Sequence, residues 1–158
     1  MTDDELLAAR AETFGSTFVV VQHLARRADA ELAPLGITAR QWLLLAVLTK
    51  GFPGRSPSLS EAAEQYGSSR QNIKQIALGL EAQGYVRLVP DRDDARTTRL
   101  ELTEQVRIFD QPAMVEQQAA VLADAFAGLS ADETLALRDI VRRWLVGLAP
   151  AGNVHTRS

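Results

Sequence analysis

Arg70, Gln71, Lys74 and Gln75 fall on one side of a helical projection, and their chemistry suits a nucleic-acid surface. Arginine and lysine neutralise phosphates and donate to guanine, whereas glutamine, like the nearby Asn72, matches the adenine edge in the major groove. No acidic residue lies between Gln65 and Leu80, so nothing on that stretch repels a polyanion. An ordinary solvated helix face has the same composition, and for an isolated helix solvation would be explanation enough. The neighbouring elements decide between the two readings.

Those elements begin with SLSEAAEQYG, in which Ser58 and Glu61 have the spacing of a capping box and Gly67 supplies a stop. Leu59, Ala62, Ala63 and Tyr66 share its apolar face. In SSRQNIKQIALGLEAQG, Ser68 and Gln71 are spaced for a second box, and Gly84 closes the helix. Ile73, Ile76, Ala77 and Leu80 form its buried stripe, opposite the basic and amide residues. A short capped helix joined through one glycine to a second is a helix-turn-helix, which presents the second helix outward. Tyr85 to Val89 then alternate as a half-buried strand that Pro90 breaks, and a charged loop comes next. Thr98, Leu100 and Leu102 share one face of a second strand with Arg99 and Glu101 on the other, and Thr103 offers the N-cap of a further helix. The two strands make a hairpin wing.

These residues resemble the MarR family of winged-helix transcriptional regulators, over most of the chain. The likeness is carried by the helix that starts at Thr38 and contains Gln-Trp-Leu-Leu-Leu, by SLSEAAEQYGSSRQNIKQI, by LEAQGYV and by the wing DRDDARTTRLELTE. Asp94-Ala95-Arg96 matches the family's Asp-x-Arg wing motif. The resemblance implies that Arg96 enters the minor groove with Asp94 holding it, and that Arg92 is a second candidate for that groove. It further implies that Arg70, Gln71, Asn72, Lys74 and Gln75 face the major groove while Ser69 reaches a phosphate. A surface ion pair is the ordinary reading of Asp94 and Arg96, and their place in the hairpin is what favours the functional one. The chain departs from the family in two respects. LTEQVRIFDQP lacks the glycine usual after the LTE-type helix start, and Asp91, Asp93 and Asp94 make the wing acidic unless they are paired within the protein.

With 158 residues, 46% of them hydrophobic and 23% charged, the chain can bury a sizeable core as a globular domain. MTDDELLAAR has neither the basic nor the apolar region of a secretion signal, and no apolar run approaches membrane-spanning length. A cytoplasmic location with no membrane partner is therefore expected. The absence of cysteine excludes disulfides, thiolate metal sites and thiol-based oxidant sensing. With His23 and His155 as the only histidines, neither a metal site nor a cofactor is expected. Phosphate-cradling glycine loops and catalytic triads have no counterpart, so an enzyme ranks last. The net charge of −3 opposes nucleic-acid binding globally. The acids, however, gather at Asp3, Asp4, Glu5 and Glu12 and at Asp124, Asp132, Glu133 and Asp139, away from the helix-turn-helix. GFPGRSP interrupts helix between Gly51 and Pro57, and its Arg55 reads as a solvated loop residue or a phosphate contact.

Leu7, Phe14, Phe18, Val21, Leu24, Ala25, Ala28 and Leu32 form a broad apolar stripe that ends at Pro34 and Gly36. Ser130 and Glu133 are spaced as a capping box before a second stripe of Leu137, Ile140, Val141, Trp144, Leu145 and Leu148. Val115, Leu122, Ala125, Phe126 and Leu129 mark a further helix that Pro112 kinks or restarts. A small winged-helix core cannot cover three such helices. They pair either within the chain or, as the resemblance implies, with those of a second copy about a two-fold axis.

The expected fold is mainly α with a small β-hairpin wing, a winged helix-turn-helix core flanked by N- and C-terminal dimerisation helices. Residues 1–36 are assigned to the N-terminal dimerisation helix, 37–103 to the DNA-binding region, 104–149 to the C-terminal dimerisation helices and 150–158 to a polar tail. The expected function is a homodimeric, sequence-specific transcriptional regulator of double-stranded DNA at a pseudo-palindromic operator. Resemblance adds that it is a repressor relieved by a small aromatic or amphiphilic effector, with Phe18, His23 and Trp42 as candidate ligand residues. Core packing is the alternative for those three side chains. The rival function is a winged-helix protein-interaction module that does not bind DNA specifically, its Arg70 and Lys74 engaging an acidic partner.

Overall fold

Among the described residues, four helices open on a reciprocal cap in which a Thr or Ser accepts from the third helical N–H and that residue's side chain returns the bond. The pairs are Thr2 with Glu5 for α1 (Asp3–Leu32), Thr38 with Gln41 for α2 (Ala39–Gly51) and Ser58 with Glu61 for α3 (Leu59–Tyr66). Ser130 and Glu133 do the same for the C-terminal helix, Ala131–Leu148. The computed structural model describes residues 1–149, so the polar tail at 150–158, with His155, lies outside the described residues.

The second helix of the pair, α4 (Arg70–Ala82), starts one residue later than its sequence predicts. Its cap is Ser69, whose hydroxyl accepts from Asn72 N at 3.1 Å, and the Ser68–Gln71 box does not form. Ser68 is occupied by the turn: its N–H donates to Ala63 O at 3.0 Å and its hydroxyl accepts from Asn72 Nδ2 at 2.7 Å. Gly67, at φ +77°, supplies the left-handed residue that ends α3 and redirects the chain into α4.

After α4, β1 (Val86–Pro90) pairs antiparallel with β2 (Thr98–Leu102), with Val86 opposite Leu102 and Leu88 opposite Leu100. Pro90 is the last strand residue, opposite Thr98, where its missing N–H does least harm to the ladder. A single bridge adds the segment before α3 to the other edge of β2, through Leu100 N donating to Pro57 O at 2.9 Å. Thr103 caps a 3-10 turn at Glu104–Asp110 rather than an α-helix. Gln111 is extended (φ −67°, ψ 138°), as a residue preceding proline prefers, and α5 (Pro112–Ala125) restarts at Pro112. The C-terminal helix Ala131–Leu148 is α6.

The chain divides into two units, 1–117 and 118–158, with the boundary inside α5. The first unit holds the core, where Leu44, Leu48, Leu59, Ala62, Ile73, Ala77, Leu80, Tyr85, Val86 and Leu100 are almost wholly buried among α2, α3, α4 and the hairpin. Each large aliphatic side chain buried there contributes about 1.5–3 kcal/mol, so this layer fixes the helix-turn-helix against the wing. Along α1 only Leu32 is buried, and Phe14, Phe18 and Val21 stay more than half exposed at 62%, 60% and 53%. In the second unit α6 has no buried residue, and Leu137, Ile140, Val141, Trp144 and Leu145 are all exposed. No single helix among the described residues is long and apolar enough to cross a membrane.

Candidate nucleic-acid interface

The buried stripe of α4 fixes which residues face outward. Because Ile73, Ile76, Ala77 and Leu80 pack into the core, Arg70, Gln71, Lys74 and Gln75 are exposed together. Ser69 is exposed at the cap, and its hydroxyl is already an acceptor for Asn72 N. Gln71, released from capping, is on the exposed face.

Asn72 is placed differently from its neighbours. It is half-buried, and both ends of its amide are engaged within the protein. Nδ2 donates to Ser68 Oγ at 2.7 Å, while Oδ1 accepts from Arg40 Nη2 at 3.1 Å. The hydroxyl of Tyr66 donates to the Arg40 carbonyl at 3.3 Å.

The wing neutralises much of its own acidity. Asp94 Oδ1 accepts from the backbone N–H and the Nε of Arg96, each at 3.1 Å, while the Arg96 side chain remains 93% exposed. Asp91 Oδ2 accepts from the N–H groups of Asp93 and Asp94, each at 3.1 Å, and its other oxygen accepts from Arg99 Nε. The Arg99 guanidinium holds the Asp91 carboxyl below the usual carboxylate range, helped by the Asp93 N–H. Arg99 also donates to Ser56 O at 3.0 Å and lies 3.6 Å from Glu61. Burial raises the Glu61 pKa, but the Ser58 N–H and Arg55 outweigh it and leave the carboxyl below its ordinary value. Arg92 is exposed near the start of the wing loop.

Arg55 turns inward to the protein. It pairs with Glu61 at 2.9 Å and its guanidinium carbon lies 4.8 Å from the Phe52 ring centroid. Arg87 pairs with Glu101 directly across the hairpin. The candidate ligand residues are all exposed, Phe18 and His23 on α1 and Trp42 on α2, and Phe18 meets Phe14 edge-on with centroids 5.0 Å apart. An open cleft lined by Leu48, Phe52, Ser56 and Leu102 includes none of these three.

Sequence reading alone did not single out the contacts of Arg40 and Arg99. Arg99 carried one local signal, its outward register on β2 opposite the apolar residues, but its partners lie 8 and 43 positions away. Arg40 carried none.

Residues 35–97 match the MarR family, which bears out the resemblance read from the motifs. The transcriptional activatory protein BadR of Rhodopseudomonas palustris is 29% identical over 93 residues, covering 56% of this chain and 53% of the relative. The chain thus spans about half the length of the curated relative it matches. Among solved structures, a crystal structure of MarR aligns with TM-score 0.70 and 19% identity over 85% of this chain and 96% of that one. A MarR-family transcriptional regulator from Streptomyces coelicolor, solved in complex with DNA, aligns with TM-score 0.72 and 23% identity over 96% and 91% of the two chains. The fold is therefore the mostly helical winged helix with a two-stranded hairpin that the sequence predicts.

Proposed function

We propose that this chain, whose winged helix is that of the MarR family, is a homodimeric transcriptional regulator that binds double-stranded DNA sequence-specifically. The observation that carries this reading is the exposed face of α4. Arg70, Gln71, Lys74 and Gln75 project together from a helix whose opposite side is locked in the core, with no acidic residue in the chain between Gln65 and Leu80. Lys74 would meet phosphate, while Arg70 and the glutamines supply donors and acceptors for base edges. Arg96, held by Asp94 yet exposed, is the minor-groove candidate, with Arg92 second.

The dimer reading is supported by the apolar faces left open on α1 in one unit and α6 in the other. On this reading residues 1–36 and 104–149 associate with those of a second copy, and residues 37–103 from each copy address the halves of a pseudo-palindrome. The protein would act in the cytoplasm as a repressor by occupying promoter DNA. The activatory name of the Rhodopseudomonas relative makes activation the opposing outcome. A small aromatic or amphiphilic effector would relieve binding only if it preferred the conformation that fits DNA less well, with Phe18, His23 and Trp42 its candidate contacts.

Selection of genomic fragments by the purified full chain tests the function. Enrichment of one palindromic sequence is the expected result, and equal retention of all fragments, or of none, would overturn sequence-specific regulation. Transcription from the enriched promoter, with and without the protein, gives the sign.

A further inference from the structure

We infer that Arg40 is a contact for the DNA phosphate backbone and that Asn72 orients it rather than reading a base, an inference that rests on the DNA-binding reading above. Arg40 belongs to α2, outside the helix-turn-helix pair and the wing from which the candidate face is assembled. Its guanidinium is nevertheless carried to the first turn of α4 by the 3.1 Å bond to Asn72 Oδ1. Asn72 is itself fixed, because Nδ2 is tied to Ser68 Oγ at 2.7 Å and its N–H to Ser69 Oγ at 3.1 Å. The Tyr66 hydroxyl reaches the Arg40 carbonyl, so α2, α3 and α4 meet at this corner.

The character of the Arg40 partner is what sets it apart. Arg55, Arg87, Arg96 and Arg99 are each paired with a carboxylate, which cancels charge locally. Arg40 is exposed and has no carboxylate partner among the described residues. A neutral amide oxygen holds it in place without neutralising it. Of the five N–H donors of a guanidinium, the Asn72 bond uses one. The remainder stay available for an anion, and the side chain is ordered before any ligand arrives, which lowers the entropic cost of binding. Arg40 flanks α4 rather than projecting from its exposed face, and groups that flank a recognition helix meet the backbone of the duplex more readily than base edges. Asn72 spends one amide donor on Ser68 and one lone pair on Arg40, so its orientation is set by the protein rather than by an adenine edge.

The test uses the full chain with two short duplexes, one enriched from a randomised pool and one of scrambled sequence, titrated over a range of salt. Arg40→Gln is expected to weaken both alike, on the order of threefold at moderate salt, and to lower the salt slope by about 0.9, the loss of one phosphate contact. Arg40→Lys should restore much of the slope. Asn72→Ala should reproduce part of the Arg40→Gln loss, leave the enriched sequence unchanged, and add nothing in the Arg40→Gln background. Unchanged affinity and slope in Arg40→Gln, while Lys74→Ala still weakens binding, would overturn this inference and leave the DNA reading standing. A new base preference in Asn72→Ala would overturn its positioning role. Failure of the unsubstituted protein to bind either duplex would remove both readings together.

Discussion

Arg99 on β2 donates to the Asp91 carboxylate at the entrance of the wing loop, and its Nη1 donates at 3.0 Å to the carbonyl of Ser56, just before α3. One guanidinium thus joins the wing to the helix-turn-helix and offsets the charge of an aspartate at the mouth of the wing loop. Arg99→Ala should reduce DNA affinity more than Arg92→Ala, although neither residue need touch a base. Hydrogen exchange should show faster amide exchange across residues 91–97 in the first variant only. Equal affinity losses with unchanged exchange would mean that Arg99 does not set the wing.

The same network makes stability fall in acid. Glu61 and Asp91 both have folded pKa values below their ordinary values of 4.5 and 3.8, so the folded state binds fewer protons than the unfolded state. Their stabilisation is fully present above those ordinary values and is lost as pH drops through the lower folded values. Thermal melts should be insensitive to these groups near neutrality and decline below about pH 4.5. Glu61→Gln should flatten the upper part of that decline. An undiminished slope in that variant would assign the acid sensitivity elsewhere.

Gly67 ends α3 at φ +77°, with no other group near enough to obstruct a Cβ. Only the backbone conformation therefore opposes a side chain there, and Gly67→Ala should cost about 1–2 kcal/mol in chemical denaturation. Gly67→Asn should lose less, since asparagine tolerates the left-handed region better. Equal losses would point to packing instead.

The parts of this fold legible in sequence are those whose signals lie within one turn or one strand. Ser58 with Glu61 and Ser130 with Glu133 announced their helix starts, and Thr98, Leu100 and Leu102 announced a strand face. Local spacing failed where two neighbours competed for one role. Ser68 and Ser69 both suit a cap, and the bond from the Ser68 N–H to Ala63 O leaves Ser69 to take it. Long-range placement was not legible at all: Pro57 bridges β2, and Asn72 meets Arg40 across 32 positions. The polar composition of α4 was therefore visible as a candidate face, but which of its amides is spent inside the protein was not.

Arg96 and Lys74 should fail in different ways. If Arg96 is the groove contact proposed above, Arg96→Ala is expected to cost about 1–3 kcal/mol on the enriched duplex and to relax its preferred sequence flanking the half-sites. Lys74→Ala should weaken enriched and scrambled duplexes alike and lower the salt slope by about 1. Filter binding on both duplexes separates the cases, and matching losses without a slope change would reject both roles. Both variants should keep the oligomeric state of the unsubstituted protein.

The exposed face of α6 gives the dimer reading its sharpest exposure to failure. Ile140 is 50% exposed and Trp144 39%, on a helix with no buried residue. If a second copy covers this face, Ile140→Asp would bury an unpaired carboxylate at the contact, a penalty of several kcal/mol and enough to dissociate an ordinary homodimer at micromolar concentration. Light scattering should then report a monomer, and affinity for a palindrome should fall while affinity for a single half-site is kept, because linking two weak contacts is what raises avidity. A monomeric unsubstituted protein would remove the two-fold reading. A variant that stays dimeric would move the interface off this part of α6, leaving the apolar stripe of α1, with Phe14 and Phe18, as the surface to alter next.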